Sequence, residues 1–176
     1  MEGYFKETSP WYGKRVLITA GPTYEPIDPV RFIGNHSSGK MGFELARAAA
    51  GMGAEVILIS GPSHEVIVNS TITCIRITTA NEMLQATLEH FDTCDVCIGA
   101  AAVADYRPRQ VAPQKLKKDN AHLELQLERN PDIIKTLAQR KTHQFVVGFA
   151  LETERETEYA LRKLQDKNLD AIVLNS

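Results

Sequence analysis

Short apolar runs alternate with helix-forming stretches along almost the whole chain, and this alternation constrains the fold more than any other feature. Arg15-Val-Leu-Ile-Thr-Ala20 is a run of aliphatic and β-branched residues, and Ala54-Glu-Val-Ile-Leu-Ile-Ser60 is a second. Between them, Gly42 to Met52 is rich in helix formers with one apolar face, ended by Gly51 or Gly53. Strand, helix and strand in that order make a βαβ unit. The same grammar predicts further strands over 73–77, 96–99, 145–149 and 171–174. It predicts helices from Ala80 to His90 with Thr79 as cap, from Asn130 or Asp132 to Arg140, and from Glu154 to Lys167. Pro131 is expected in the first turn of the second of these, where its missing N–H costs nothing. The pattern predicts an α/β, Rossmann-like fold: a mostly parallel sheet with helices on both faces.

At 176 residues the chain has the size of one domain, expected over 13–176, with 1–12 as a leader or linker. Twenty basic and 22 acidic residues leave a formal charge of −2. No global field draws nucleic acid or membrane, so a polyanionic partner must be small and locally bound. No apolar run approaches the roughly twenty residues of a membrane span. The three cysteines, Cys74, Cys94 and Cys97, are an odd number in or near apolar runs without a secretory leader, which points to the cytoplasm. Cys94 and Cys97 form a C-x-x-C with no second pair to complete a zinc site, and read as small buried hydrophobes.

Two segments interrupt the alternation, 21–39 and 106–120, both longer than the two to six residues usual after a strand. Both leave the carboxyl ends of strands, where such sheets bind ligands. Gly34-Asn-His-Ser-Ser-Gly-Lys-Met-Gly42 matches seven positions of G-x-x-x-x-G-K-[ST], but Met41 replaces the magnesium-binding hydroxyl and Gly34 lies far from its strand. It is not a P-loop. Gly21, Ser37, Ser38, Gly39 and Lys40 could still form an anion site at a helix N-terminus, or Ser37 or Ser38 could simply cap the turn. A dinucleotide fingerprint is missing after the first strand, and Ser60-Gly-Pro62 stands where its acidic residue belongs. Tyr159 and Lys163 repeat the Y-x-x-x-K spacing of short-chain dehydrogenases on a charged helix, where that spacing is common. The small residues from Gly99 to Ala104 would admit a flat ring, with Asp105 accepting hydrogen bonds from ribose or an amino group. They would equally suit a tightly packed strand end. Lys115-Leu-Lys-Lys118 is either solvated surface or a lid lysine over a phosphate site.

Thr19-Ala-Gly-Pro-Thr-Tyr-Glu-Pro-Ile-Asp-Pro-Val-Arg-Phe-Ile-Gly-Asn-His-Ser-Ser-Gly-Lys-Met-Gly42, Ala100-Ala-Ala-Val-Ala-Asp-Tyr106, Lys115-Leu-Lys-Lys118 and Asn130-Pro-Asp-Ile133, in this order, closely resemble phosphopantothenoylcysteine synthetase, a cytidylyltransferase-ligase of coenzyme A biosynthesis. The resemblance runs from about Gly13 to the last residue. It implies ligation of 4'-phosphopantothenate to cysteine, driven by CTP with magnesium, through an acyl-cytidylate. It implies that Asn35 holds the acyl carbonyl and that Lys115 acts on the α-phosphate. Gly99, Ala100, Ala101 and Asp105 would face cytidine, joined by Pro131, Asp132, Ile133, Ile134 and Phe149, with Lys163 and Lys167 as further nucleotide contacts. The metal ligands are left open. The resemblance also implies a homodimer, usually fused behind a flavin-dependent decarboxylase, so no flavin is expected here. Relatives continue past the strand ending at Leu174, so the domain is expected to be shortened at its C-terminus. A nucleotide-binding fragment without turnover is therefore the alternative, with an NAD(P)-dependent reductase a third reading and a P-loop ATPase a fourth.

Overall fold

The computed structural model describes residues 9–117, 122–151 and 156–175. Its main sheet contains β1 (Arg15–Ala20), β4 (Glu55–Ser60), β5 (Ile72–Arg76), β6 (Val96–Gly99), β9 (Phe145–Leu151) and β10 (Ala171–Asn175). The helices are α1 (Lys40–Gly51), α2 (Ala80–Phe91), α3 (Ile133–Arg140) and α4 (Glu156–Asp166). Every pairing in this sheet is parallel, and the strands lie in the order β10-β9-β6-β1-β4-β5. The chain therefore starts in the middle, moves out to one edge, returns and moves out to the other. This is the doubly wound Rossmann arrangement that the alternation predicts.

Side chains of β1 alternate between two apolar layers, as strand geometry requires. Val16, Ile18 and Ala20 pack with Phe43, Ala46, Ala49 and Ala50 of α1. Leu17 points the other way, into a layer with Met83 and Phe91 of α2 and Leu137 and Ala138 of α3, and Leu164 of α4 packs against it. Trp11, inside the expected leader, packs against the α1 layer.

Local chemistry sets the helix ends. Thr79 and Glu82 form a reciprocal capping box at α2. Asp132 caps α3 by accepting from the Lys135 N–H at 3.1 Å, so the helix opens at Ile133. Pro131 thus precedes the cap, a correction to its expected place in the first turn. α1 opens at Lys40 because Gly39 adopts a left-handed conformation, φ 80°, that a side chain would strain.

Two antiparallel strand pairs that the alternation did not predict are added, one inside the first long loop and one joining the start of the second loop to a strand beyond it. In the first, β2 (Tyr24–Pro26) pairs antiparallel with β3 (Phe32–Gly34). In the second, β7 (Tyr106–Pro108) pairs with β8 (Leu127–Arg129). Cys94 and Cys97 are buried in the second layer. Burial and the charge of Asp95 push the Cys94 thiol up to about 12, and burial pushes Cys97 up as well, as suits small buried hydrophobes. Among the described residues, no helix is long and apolar enough to cross a membrane.

Two glycines of α1 make the packing testable. A Cβ on Gly42 would collide with the Cβ of Ala20 and lie 3.1 Å from its Cα, whereas one on Gly51 would meet nothing within 4 Å. Helix propensity alone favours alanine at either site by up to about 1 kcal/mol. Overpacking costs about 1–3 kcal/mol, so Gly42→Ala should destabilise while Gly51→Ala should stabilise. Urea denaturation of both variants measures the opposite signs, and equal signs would contradict this helix-to-strand contact.

Candidate active site

The order of strand addition reverses between β1 and β6, and the carboxyl ends of neighbouring strands there open a crevice. A cleft of about 790 Å³ extends from this point over β6 and β9. Its first wall is the chain leaving β6, which backbone bonds stitch to the chain leaving β1. The Ala100 N–H donates to Thr19 O at 3.1 Å, and Ala102 N–H donates to Gly21 O at 2.9 Å. The buried Thr23 Oγ1 accepts from Ala104 N–H at 3.0 Å. Asp105 then stands exposed at the rim.

The opposite wall comes from the start of α3 and from β9. Gly99 allows it to approach: a Cβ there would lie 2.8 Å from Ile134 Cδ1, so the absence of a side chain lets α3 rest on the end of β6. Asp132 Oδ2 pairs with Lys167 Nζ at 2.9 Å, while its Oδ1 caps α3. Lys163 lines the same cleft one helical turn away. Two lysine side chains, a helix N-terminus and a rim of small residues are the parts that a site for a flat ring bearing phosphates would need.

Asn35 enters the cleft from the first hairpin loop, its Nδ2 donating to Val103 O at 3.0 Å and to Ala102 O at 3.4 Å. The fold thus gathers Asn35, Gly99, Ala101, Asp105, Pro131, Asp132, Ile133, Ile134, Phe149, Lys163 and Lys167 around one space. Ala100 lies behind that surface, holding Thr19. Gly21, Ser37, Ser38, Gly39 and Lys40 form a separate neck beside it. There Ser37 Oγ accepts from Gly39 N–H at 3.2 Å and Ser38 Oγ from Lys40 N–H at 3.3 Å, so the serines satisfy N–H groups otherwise available to an anion.

Lys115 is not among the cleft residues. With Val30, Arg31, Leu116 and Lys117 it lines a second concavity of about 470 Å³ on the first hairpin, while Lys118 lies outside the described residues. The buried Asp28 explains the placement. Its Oδ2 accepts from Leu116 N–H at 3.1 Å and pairs with Arg31 at 2.9 Å, and Arg31 Nη2 donates to Leu116 O at 2.6 Å. Burial alone would raise the Asp28 pKa, but N–H donors from Val30, Leu116 and Arg31 and the Arg31 charge hold it below the usual carboxylate range. The lysine strap is therefore anchored to the hairpin.

Sequence reasoning gave no site role to Thr19, Thr23 or Asn130, whose side chains hold the walls in register. It also passed over Asp28. Only its neighbourhood in the fold distinguishes that carboxylate from a surface one. Among the described residues no three of His, Cys, Asp and Glu converge to cage a metal. Magnesium commonly binds through one or two carboxylates plus substrate phosphates, and the rim carboxylate of Asp105 fits that sparse donor set.

Residues 11–176 match the family model described as "DNA/pantothenate metabolism flavoprotein C-terminal domain". The chain is 48% identical over 176 residues to the coenzyme A biosynthesis bifunctional protein CoaBC of Haemophilus influenzae, covering 99% of this chain and 44% of that protein. It spans less than half the length of that relative. The crystal structure of a CoaBC C-terminal domain superposes with a TM-score of 0.82 at 48% identity, over 93% of this chain and 78% of that one. A Cab2 variant in complex with phosphopantothenate-cysteine shares the fold, with a TM-score of 0.72 at 20% identity over 92% of this chain and 72% of that one. The family match takes in both walls of the cleft and the strands that carry them: the chain belongs to the DNA/pantothenate metabolism flavoprotein C-terminal domain family.

Proposed function

We propose that the chain is a phosphopantothenate-cysteine ligase of coenzyme A biosynthesis, driven by CTP. The observation that carries this reading is the convergence of Asn35, Asp105, Asp132, Lys163 and Lys167 on one cleft at the point where the order of strand addition reverses. The family membership agrees with it, and the phosphopantothenate-cysteine named in the Cab2 complex is the molecule that such a ligase would form. A carboxylate is a poor acyl donor because oxide would have to leave. In the first step the 4'-phosphopantothenate carboxylate forms a bond to the α-phosphorus of CTP, and the bond from that phosphorus to pyrophosphate breaks. In the second, the cysteine nitrogen bonds to the acyl carbon, the acyl–oxygen bond breaks, CMP leaves and the nitrogen releases a proton.

In this reading the small residues of Gly99 to Ala101 and the side chains of Ile134 and Phe149 hold the cytosine ring. Asp105 accepts from ribose or the exocyclic amino group, and Lys163 and Lys167 attract the phosphates. Asn35 donates to the acyl oxygen, and Lys115 reaches the α-phosphate when its strap leaves the hairpin. Magnesium arriving with CTP would neutralise phosphate charge. The enzyme acts as a cytoplasmic homodimer, in relatives fused to a flavin-dependent decarboxylase. A second reading, nucleotide binding without turnover, draws on the anchored position of Lys115 away from the cleft.

Pyrophosphate release should require CTP and 4'-phosphopantothenate together, and Lys115→Gln should lower its rate by about 10²-fold or more, as loss of a transition-state charge contact does. Thermal stabilisation by CTP without pyrophosphate release would favour the second reading. Stabilisation by NADPH and not by CTP would favour a reductase.

A further inference from the structure

We propose that Asn130, braced by Arg107, is a positioning residue that sets the separation of the two cleft walls and thereby the affinity for nucleotide; this rests on the reading of the cleft as a nucleotide site. Asn130 lines the cleft directly before Pro131, where the second wall begins. Three of its polar groups reach back across the gap. Its N–H donates to Asp105 O at 2.9 Å, its Nδ2 donates to Ala104 O at 2.7 Å, and its Oδ1 accepts from Arg107 Nη1 at 3.2 Å.

Arg107 is itself held at several points. The same Nη1 donates to Asn81 Oδ1 at 3.1 Å on the first turn of α2, Nε donates to Glu128 Oε1 at 2.9 Å, and Nη2 pairs with that carboxylate at 2.8 Å. The guanidinium fork thereby ties α2 and both strands of the second hairpin to one amide. Position 130 needs a donor towards Ala104 O and an acceptor towards Arg107 on one short planar group. Aspartate supplies only acceptors, and alanine neither. When the brace loosens, Pro131 to Ile134 move relative to Asp105, and the separation matched to a ring and its ribose is lost.

The test measures CTP binding by calorimetry and steady-state kinetics on the purified protein, for wild type, Asn130→Asp and Arg107→Lys. In each variant Kd and KM for CTP should rise up to about tenfold, the weight of one hydrogen bond at the upper end of the usual range. The kcat and the KM for cysteine should stay within about twofold of wild type, since neither side chain acts on the reacting atoms. Hydrogen exchange without nucleotide should show faster exchange of the backbone N–H of residue 130 in Asn130→Asp, after correction for the intrinsic rates of the two residues. A merely structural role would instead lower the active fraction, reducing kcat with KM for CTP unchanged, and that result would overturn the brace. So would unchanged CTP affinity in both variants of a wild type that binds CTP. If Asn130→Asp fails to fold, Arg107→Lys carries the test, because it keeps the charge and one donor. Failure of the wild type to bind CTP would overturn the nucleotide reading itself, and the exchange rate of the backbone N–H of residue 130 then still reports on the brace.

Discussion

Asn35→Asp is expected to stop product formation, lowering kcat by roughly 10²–10³-fold, the usual cost of losing an oxyanion donor, while one equivalent of pyrophosphate is still released and the acyl-cytidylate accumulates. Asn35 holds its amide at the cleft with one good hydrogen bond, to Val103 O at 3.0 Å, and one long contact, to Ala102 O at 3.4 Å. The second hydrogen of that amide is weakly engaged and can turn to an acyl oxygen as negative charge develops there. A carboxylate at position 35 has no hydrogen to offer and opposes the developing charge. The first step asks nothing of this group, because its charge develops on phosphate. Rapid quench with radiolabelled CTP separates the steps: a labelled acyl-cytidylate should appear in Asn35→Asp and be absent from Lys115→Gln. Aspartate would also face two backbone carbonyls and could swing out of place, so Asn35→Ala serves as the neutral comparison. Normal turnover in either Asn35 variant, or failure of both to release pyrophosphate, would contradict this division of labour.

Much of the frame was legible because single residues carry strong local signals. β1 and β6 fall on their expected bounds, since runs such as Val16-Leu-Ile18 fit only a strand buried on both faces. Thr79 announced α2 as its cap, and the structure adds the reciprocal bond from Glu82. The hairpins were not legible, because Tyr24-Glu-Pro26 and Phe32-Ile-Gly34 lack alternation and depend on distant partners. Tyr24 and Phe32 stack with ring centroids 3.8 Å apart. Glu25, only 2% exposed, accepts from the Ala80 N–H at 2.9 Å at the start of α2. A carboxylate at a helix N-terminus is favourable, yet nothing near Glu25 in the chain shows that this helix will be there. The cleft divides in the same way. Gly99 to Asp105 stood out by composition, whereas Asn130 looked like a helix-start signal, and its bonds to Ala104 and Arg107 exist only after folding. The sequence suggested a lid position for Lys115, but its place on the first hairpin depends on Asp28, which is remote in sequence.

The largest loss of stability is expected from Gly61→Ala, about 3 kcal/mol at the upper end of overpacking costs, which for a chain of this size lowers Tm by roughly 6–12 °C. A Cβ on Gly61 would land on the carbonyl oxygen of Pro22. Neither side can yield cheaply. Gly61 N–H donates to Ala20 O at 3.0 Å, which holds it against the end of β1. Pro22 is fixed by its bridge to Ala102, and Gly21, at φ 75°, has its own Cβ position 3.3 Å from Gly61 O. The obstacle is therefore backbone against backbone, unlike Gly99, where the flexible end of Ile134 can move. This crossing also bears on function, because the chain leaving β1 closes over the end of β4 and directs the open side of the crevice towards β6. Displacing Pro22 would pull Gly21 O away from the Ala102 N–H and disturb the first wall of the cleft. Any folded Gly61→Ala protein should accordingly bind CTP more weakly than wild type, even below its own Tm. Calorimetric melting together with CTP titration checks both parts, and a variant with unchanged Tm would show that Pro22 does not cross Gly61 this closely.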